Sequence, residues 1–376
     1  MSKIEWCDRS DWNPIRGCTR VSEGCRHCYA EQLAGRFSDE GAPFHGFATR
    51  VGREGRWTGK VELIEERLTL PLKWRKPAVV FVNSAFDLFH EALPDSVIDR
   101  VFAVMALAPQ HKFLVLTKRA KRMREWATTR DRASYVGDAA GDIADAAALA
   151  GLFKARAQAI AAGVERVSQS VRWPLPHVHL GVSVENQPAA ERIPELLATP
   201  AAGRFVSAEP VLGEINLRRI PLGGPTDCTF PANPEIKKVQ FTVDALTGAP
   251  KTGIPRLDGV ICGGESGPGA RPLWTPNVRA IVKQCRAAGV ACFVKQLGSN
   301  VQDRNDAGFD GENYDGLPAS TDWPDGTADR VEHDLDGTRD DYQGAPVRIR
   351  LRDRKGGDPA EWPEDLRVRQ LPWRRA

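Results

Sequence analysis

The sequence predicts an α/β fold, a partial or full (β/α) barrel of parallel strands. Three observations carry that expectation. Six short runs between Ala78 and Gly298 are almost continuously apolar, as strands buried on both faces of a parallel sheet are. Stretches of helical spacing fill the gaps between them, the alternation that builds right-handed βαβ units. A length of 376 residues is enough to bury one large core. A doubly wound sheet fits the same pattern, and in either architecture ligands collect at the C-terminal ends of the strands.

Taken in order, Tyr29 to Phe37 has helical spacing, with Leu33 and Phe37 on one face. Glu65 to Trp74 predicts another helix, which must stop before Pro77. The first strand is Ala78 to Ser84, followed by a helix from Pro94 to Leu107 and a strand from Lys112 into Thr117-Lys118-Arg119. Residues 127–173 break the rhythm with an Ala-, Asp- and Arg-rich insertion holding an amphipathic helix at Ala146 to Gly163, read as a lid over one end of the barrel. The alternation resumes with a strand at His179 to Asn186, a helix at Ala189 to Leu197, and a strand at Arg204 to Pro210. Residues 221–255 form a second insertion, a loop or short hairpin. A strand at Gly259 to Gly267, a helix at Asn277 to Ala288 and a last strand at Ala291 to Gly298 close the barrel domain, residues 1–300. The remainder, 301–376, reads as a polar C-terminal extension in which Val347 to Arg352 alternates like an edge strand.

The strand-end rule converts polar residues at the exits into site candidates: Asn83, Ser84 and Asp87; Thr117 and Lys118; Ser183 and Glu185; Glu209; Glu265 and Ser266; Lys295 and Gln296. A strand must emerge somewhere, and solvated polar ends are as common as functional ones. Glu209 and Glu265 stand out because each follows a buried run directly.

A net charge of +3 supplies no global attraction to nucleic acid. The run Lys118-Arg119-Ala-Lys121-Arg122 is a local exception, readable as a phosphate track or, more commonly, as a solvated helix face. The N-terminus has no apolar signal core and no stretch could span a bilayer, so a cytoplasmic location is expected, where thiols stay reduced. Of eight cysteines, Cys228, Cys262, Cys285 and Cys292 are scattered and read as buried small hydrophobes. The others, Cys7, Cys18, Cys25 and Cys28, crowd the first 28 residues.

Cys18, Cys25 and Cys28 are the strongest chemical signal. Three thiols among loop-forming residues usually hold a metal and are one short of a closed tetrahedral site. A structural zinc site would need Cys7, His27 or His45 as fourth ligand, and only one short Cys-x-x-Cys unit is present. The other reading is a [4Fe–4S] cluster whose fourth iron stays free to bind S-adenosylmethionine.

Here the residues resemble a known family. Trp12-Asn-Pro-Ile-Arg-Gly-Cys18 and Gly24-Cys-Arg-His-Cys-Tyr-Ala-Glu31 are similar to the phage-associated three-cysteine-motif proteins of the radical-SAM type. So are Phe81 to His90, Leu116 to Arg119, Gly181 to Glu185, Ser207 to Pro210, Gly263 to Ser266, Val294 to Gln296 and Asp353 to Trp362. The resemblance implies a radical-SAM-like barrel, an iron–sulfur cluster on Cys18, Cys25 and Cys28, S-adenosylmethionine, and an electron donor protein in a bacterial host's cytoplasm. It puts Asn83, Ser84 and Asp87 near the methionine moiety, Thr117 among the cofactor-binding residues, Ser183 and Glu185 near the ribose, and Glu209, Glu265 and Lys295 toward substrate or cofactor as catalytic candidates. Its substrate expectation is a base adduct in phage DNA, rearranged in thymine hypermodification. Radical lyase or aminomutase chemistry on a small molecule or nucleotide, and a zinc-stabilised nucleic-acid-binding protein, are the rivals. The common radical-SAM pattern spaces its cysteines Cys-x3-Cys-x2-Cys, whereas here six residues separate the first two.

Overall fold

The computed structural model describes residues 4–52, 54–149, 171–223, 226–227, 238–239, 241–304, 332–333 and 346–374. Its centre is a mixed α/β arrangement around six parallel strands: β1 (Val79–Val82), β2 (Lys112–Thr117), β3 (Val178–Ser183), β4 (Gly203–Ala208), β5 (Gly259–Gly263) and β6 (Ala291–Gln296). They pair in chain order, β1 at one edge and β6 at the other, in a sheet curled into an open half-barrel. The apolar runs therefore form the strands the sequence predicts, each ending a few residues sooner because the polar tails turn out of the ladder.

Period-two alternation sorts the strand residues between two cores. Val80, Val82, Phe113, Val115, Leu180, Val206, Val260 and Val294 face the helical layer and belong to the larger one. That layer contains α2 (Asp95–Leu107), α3 (Ala120–Thr128), α5 (Arg192–Ala198) and α6 (Thr275–Ala288). Phe81, Leu114, Phe205, Ile261 and Phe293 face inward and form a second, smaller core with Trp6 and Trp373. Inside it Trp6 packs on Phe81 with ring centroids 4.5 Å apart and planes tilted by 49°, and Trp373 lies edge-on to Phe205 at 5.2 Å.

The two tryptophans come from opposite ends of the described chain. Residues 8–12 run along β1, with the Arg9 and Trp12 carbonyls accepting from the Phe81 and Asn83 amides. Residues 368–370 run along β6, Val294 N–H donating to Val368 and Gln370 N–H to Cys292. Both sheet edges are thus covered. Trp373 Nε1 donates to the Trp6 carbonyl at 3.0 Å, and Arg374 pairs with Asp8 at 2.9 Å. The C-terminal stretch is an integral wall of the fold: Trp362 and Leu366 are also buried.

Several local expectations change. The helix over Glu65 to Trp74 breaks into Glu65–Leu68 and a 3-10 turn at Leu70–Lys73, because Pro71 lacks the amide to continue it. In α1 (Tyr29–Arg36), Leu33 and the following Phe37 are exposed; the buried face is Ala30, Glu31, Ala34 and Gly35. Gly35 lies against Gly55 of the Ala48–Val51/Glu54–Trp57 hairpin so closely that an added Cβ would meet its Cα at 2.3 Å. Small residues, not the large apolar ones, bring the helix down. The described part of the first insertion is α4 (Arg132–Leu149), which packs on α2 in the helical layer; Arg132 is held there by Asp99 at 2.5 Å. The helix expected at Ala146 to Gly163 lies outside the described residues beyond Leu149. The second insertion pairs Ile220–Pro221 with Thr242–Val243 as a short hairpin. Pro346–Ile349 forms the strand that the alternation at Val347 predicts but is not an edge, because it pairs antiparallel with Val301–Arg304 and parallel with Glu332–His333. Cys262, Cys285 and Cys292 are buried and free, and Cys228 lies outside the described residues. Among the described residues no helix is long and apolar enough to cross a membrane.

Candidate functional site

The cysteine loop is tied to four strand exits. Tyr29 donates its hydroxyl to the Ser84 carbonyl at 2.9 Å beyond β1. Arg119, beyond β2, donates Nη2 to Thr19 Oγ1 at 2.7 Å and to the Thr19 carbonyl at 3.2 Å. Ser22 donates to Glu185 Oε1 at 3.1 Å beyond β3. Arg271, beyond β5, donates to the Glu23 carbonyl at 2.9 Å. Gly24 makes the close approach possible: a Cβ there would stand 2.3 Å from Glu185 Oε1. The loop therefore lies across the rim, with the Cys28 residue capping the start of α1.

Cys18, Cys25 and Cys28 are free and half-buried, and near enough to influence one another's ionisation. Burial, with Asp87 adding to it, pushes Cys18 up to about 12, and burial also raises Cys28. At Cys25 burial acts the same way, but the Lys118 ammonium and backbone amides outweigh it and the thiol is lowered. Lys118 itself is pushed down to about 8 by burial, against the pull of the Cys25 thiolate. Arg119 Nη1 stands 4.0 Å from Cys18 Sγ, and Arg192 adds a third cation near Cys25. The cations therefore favour the thiolate at Cys25 alone, while at Cys18 and Cys28 burial wins and favours the protonated thiol.

Three thiols are a donor set for either a single soft metal ion or an iron–sulfur cluster. One ion needs sulfurs about 2.3 Å from a shared centre. Among the described residues no three His, Cys, Asp or Glu side chains converge that way. A cluster takes each thiolate on a different iron and so spreads them. The fourth ligands a zinc site would need lie apart. Cys7 is buried in the inner core, pushed up to about 12 by that burial, with Asp8, Arg374 and Lys295 as its charged neighbours. His27 sits 3.5 Å from Glu265, and His45 is exposed.

The strand-end candidates fall into three groups. Asp87 and Thr117 join Arg119 in one network: Asp87 accepts from Thr117 Oγ1 at 2.7 Å, from the Lys118 amide at 3.1 Å and from Arg119 Nη1 at 3.1 Å. Glu185 is buried between Lys118 and Arg192, the latter at 3.0 Å and also bonded to the Ser183 carbonyl at 2.7 Å. Both carboxylates are thus struts that hold cations at the thiols. In the second group Lys295 reaches across Gly263 of β5 to pair with Glu209 at 2.8 Å, where Ser207 also donates at 3.1 Å. In the third, Glu265 is gripped by Arg271; burial works against its charge, but that guanidinium holds the carboxyl below its usual range. Ser84 is spent on the Ser10 carbonyl at 2.7 Å. Asn83, buried and in the left-handed region at φ 55°, accepts from the Ile15 amide at 3.1 Å and leaves its Nδ2 without a partner.

Arg192 and Arg271 had no signal in the sequence beyond being arginines shortly after strand exits. The basic run does not form one exposed stripe: Lys118 and Arg119 turn into the site, Arg122 pairs with Asp95, and Arg124 pairs with Glu195 at 2.5 Å.

Residues 1–334 match the model of a family described as protein of unknown function (DUF5131), so the chain belongs to that family. No curated protein and no solved structure matches it.

Proposed function

We propose that the chain is a radical S-adenosylmethionine enzyme in which Cys18, Cys25 and Cys28 hold a [4Fe–4S] cluster. The observation that carries this reading is the placement of three neighbouring, half-buried thiols, beside Lys118, Arg119 and Arg192, across the strand exits of an open parallel half-barrel. Bound there, the cluster and S-adenosylmethionine would supply a carbon-centred radical that takes a hydrogen atom from the substrate.

The protein's own residues supply position and charge. Asp87 and Glu185 keep the three cations at the thiols. Asn83 offers a free amide N–H at the end of β1. The Glu209–Lys295 pair offers one anion and one cation from the exits of β4 and β6, suited to a zwitterionic or polar ligand group. The family resemblance points to a base adduct in phage DNA as substrate, with an extrahelical base entering the site. The inward and paired arrangement of the basic run favours a second reading, the same chemistry on a small molecule or nucleotide, because no continuous phosphate track is left there.

Anaerobic reconstitution tests the first step, with about four irons per chain expected. Stoichiometric zinc and no iron uptake would overturn the proposal. Dithionite and S-adenosylmethionine should then yield 5′-deoxyadenosine, and Cys18→Ala, Cys25→Ala and Cys28→Ala should each abolish it. Binding to duplex and single-stranded oligonucleotides across a salt series separates the two substrate readings, since phosphate contacts impose a steep salt dependence.

A further inference from the structure

Arg119 is the charged group aimed most directly at a candidate ligand sulfur. Its side chain is 3% exposed, and its Nη1 stands 4.0 Å from Cys18 Sγ, the outer limit for an N–H to sulfur contact. The guanidinium cannot swing away: Asp87 takes Nη1 at 3.1 Å, Glu91 takes Nε at 2.7 Å, and Thr19 takes Nη2 at 2.7 Å. Thr19 is itself bonded to His90 at 2.9 Å, and is the residue next to Cys18. A cation is thus fixed beside one thiol by three separate partners, two of them on the exit of β1 and one on the cysteine loop. Arginine stays protonated throughout the accessible pH range, so this charge is permanent.

We propose that Arg119 is a positioning residue that sets the reduction potential of the thiolate-held group through its fixed charge and its N–H directed at Cys18 Sγ. The inference rests on the iron–sulfur reading. Reduction adds one electron, from the electrode in the test below, to an anionic centre, and a buried cation beside a ligand sulfur favours the reduced state. A guanidinium serving only as a strut for Asp87 would alter stability and leave the potential alone.

The test is a spectroelectrochemical titration of the full chain reconstituted with iron, with electron paramagnetic resonance of the reduced form as a second readout. Arg119→Gln is expected to lower the equilibrium constant for one-electron reduction about tenfold, a fall of about 59 mV. Arg119→Lys should recover part of that fall, because it restores the charge without the fork. If Arg119→Gln does not fold, Glu91→Gln decides. Glu91 is on the surface with its side chain 63% exposed, and neutralising it should move the potential upward by unmasking the guanidinium. Normal iron content with an unchanged potential in whichever of Arg119→Gln and Glu91→Gln folds would refute the role of Arg119 and leave the iron–sulfur reading standing. Failure of the unsubstituted protein to bind iron would remove both.

Discussion

At the base of the inner face, Phe81, Leu114, Phe205, Ile261 and Phe293 close around Trp6 and Trp373. Further along the same strands, the chain presents Asn83, Ser183, Ser207 and Lys295, and beyond them Lys118, Glu185, Glu209 and Glu265. One set of strands therefore carries an aromatic plug at one end and a charged rim at the other. The base stabilises by apolar burial and ring packing. The rim spends that stability on buried ion pairs, which are weak contributors to folding and strong determinants of local field. The comparison teaches that substitutions at the base should cost folding, while those at the rim should cost the metal binding proposed for it.

Trp6→Ala or Trp373→Ala should have the largest effect on stability, a loss of about 3–5 kcal/mol in denaturant unfolding. A rim that still binds iron in the surviving folded fraction would confirm that the ends are separable; unaltered unfolding midpoints would break the comparison. Gly24→Ala drives a Cβ into the buried Glu185 carboxylate, and should cost about 1–3 kcal/mol while also reducing iron uptake. That substitution is the one place where the two properties are expected to fall together.

His179 gives the base a pH signature. Burial first, and the Lys112 ammonium second, push it down to about 4 from its ordinary 6.5. The unfolded chain therefore takes up the proton before the folded one. The stability linked to this group is complete above pH 6.5 and is lost as the pH falls toward 4, on the order of 2 kcal/mol by pH 5. Unfolding midpoints measured at pH 7.5 and pH 5 should differ less in His179→Asn than in the parent. The smallest stability change is expected at the rim itself: Cys25→Ala should shift unfolding by less than about 1 kcal/mol while eliminating iron binding. A large stability loss in the metal-free protein would show that the loop is structural.

The six strands were legible because parallel strands covered on both faces must be apolar throughout. The cysteine loop was legible because Cys18, Cys25 and Cys28 need no tertiary context to be noticed. The partners of the loop were not. Arg271 is 248 positions from Glu23, and Glu185 is 163 from Ser22, so neither pairing has a local signature. Asp87 and Glu185 looked like ligand contacts because they end strands, and only their bonds to Arg119, Lys118 and Arg192 reveal them as supports. Leu33 and Phe37 misled for the opposite reason: helical spacing marks a face, and the glycine-to-glycine approach at Gly35 decides which face goes down.

Trp373 donates to the carbonyl of a residue 367 positions earlier. During synthesis Trp6 emerges long before its cover, so the indole and the inward phenylalanines wait uncovered while the strands between them are made. Closing that floor carries the loop entropy of the 367 positions that separate its partners, which places it late among folding events and makes it slow. A ribosome-bound chain halted before position 373 should thus expose a sticky aromatic surface, and chaperone capture should cease when position 373 is released.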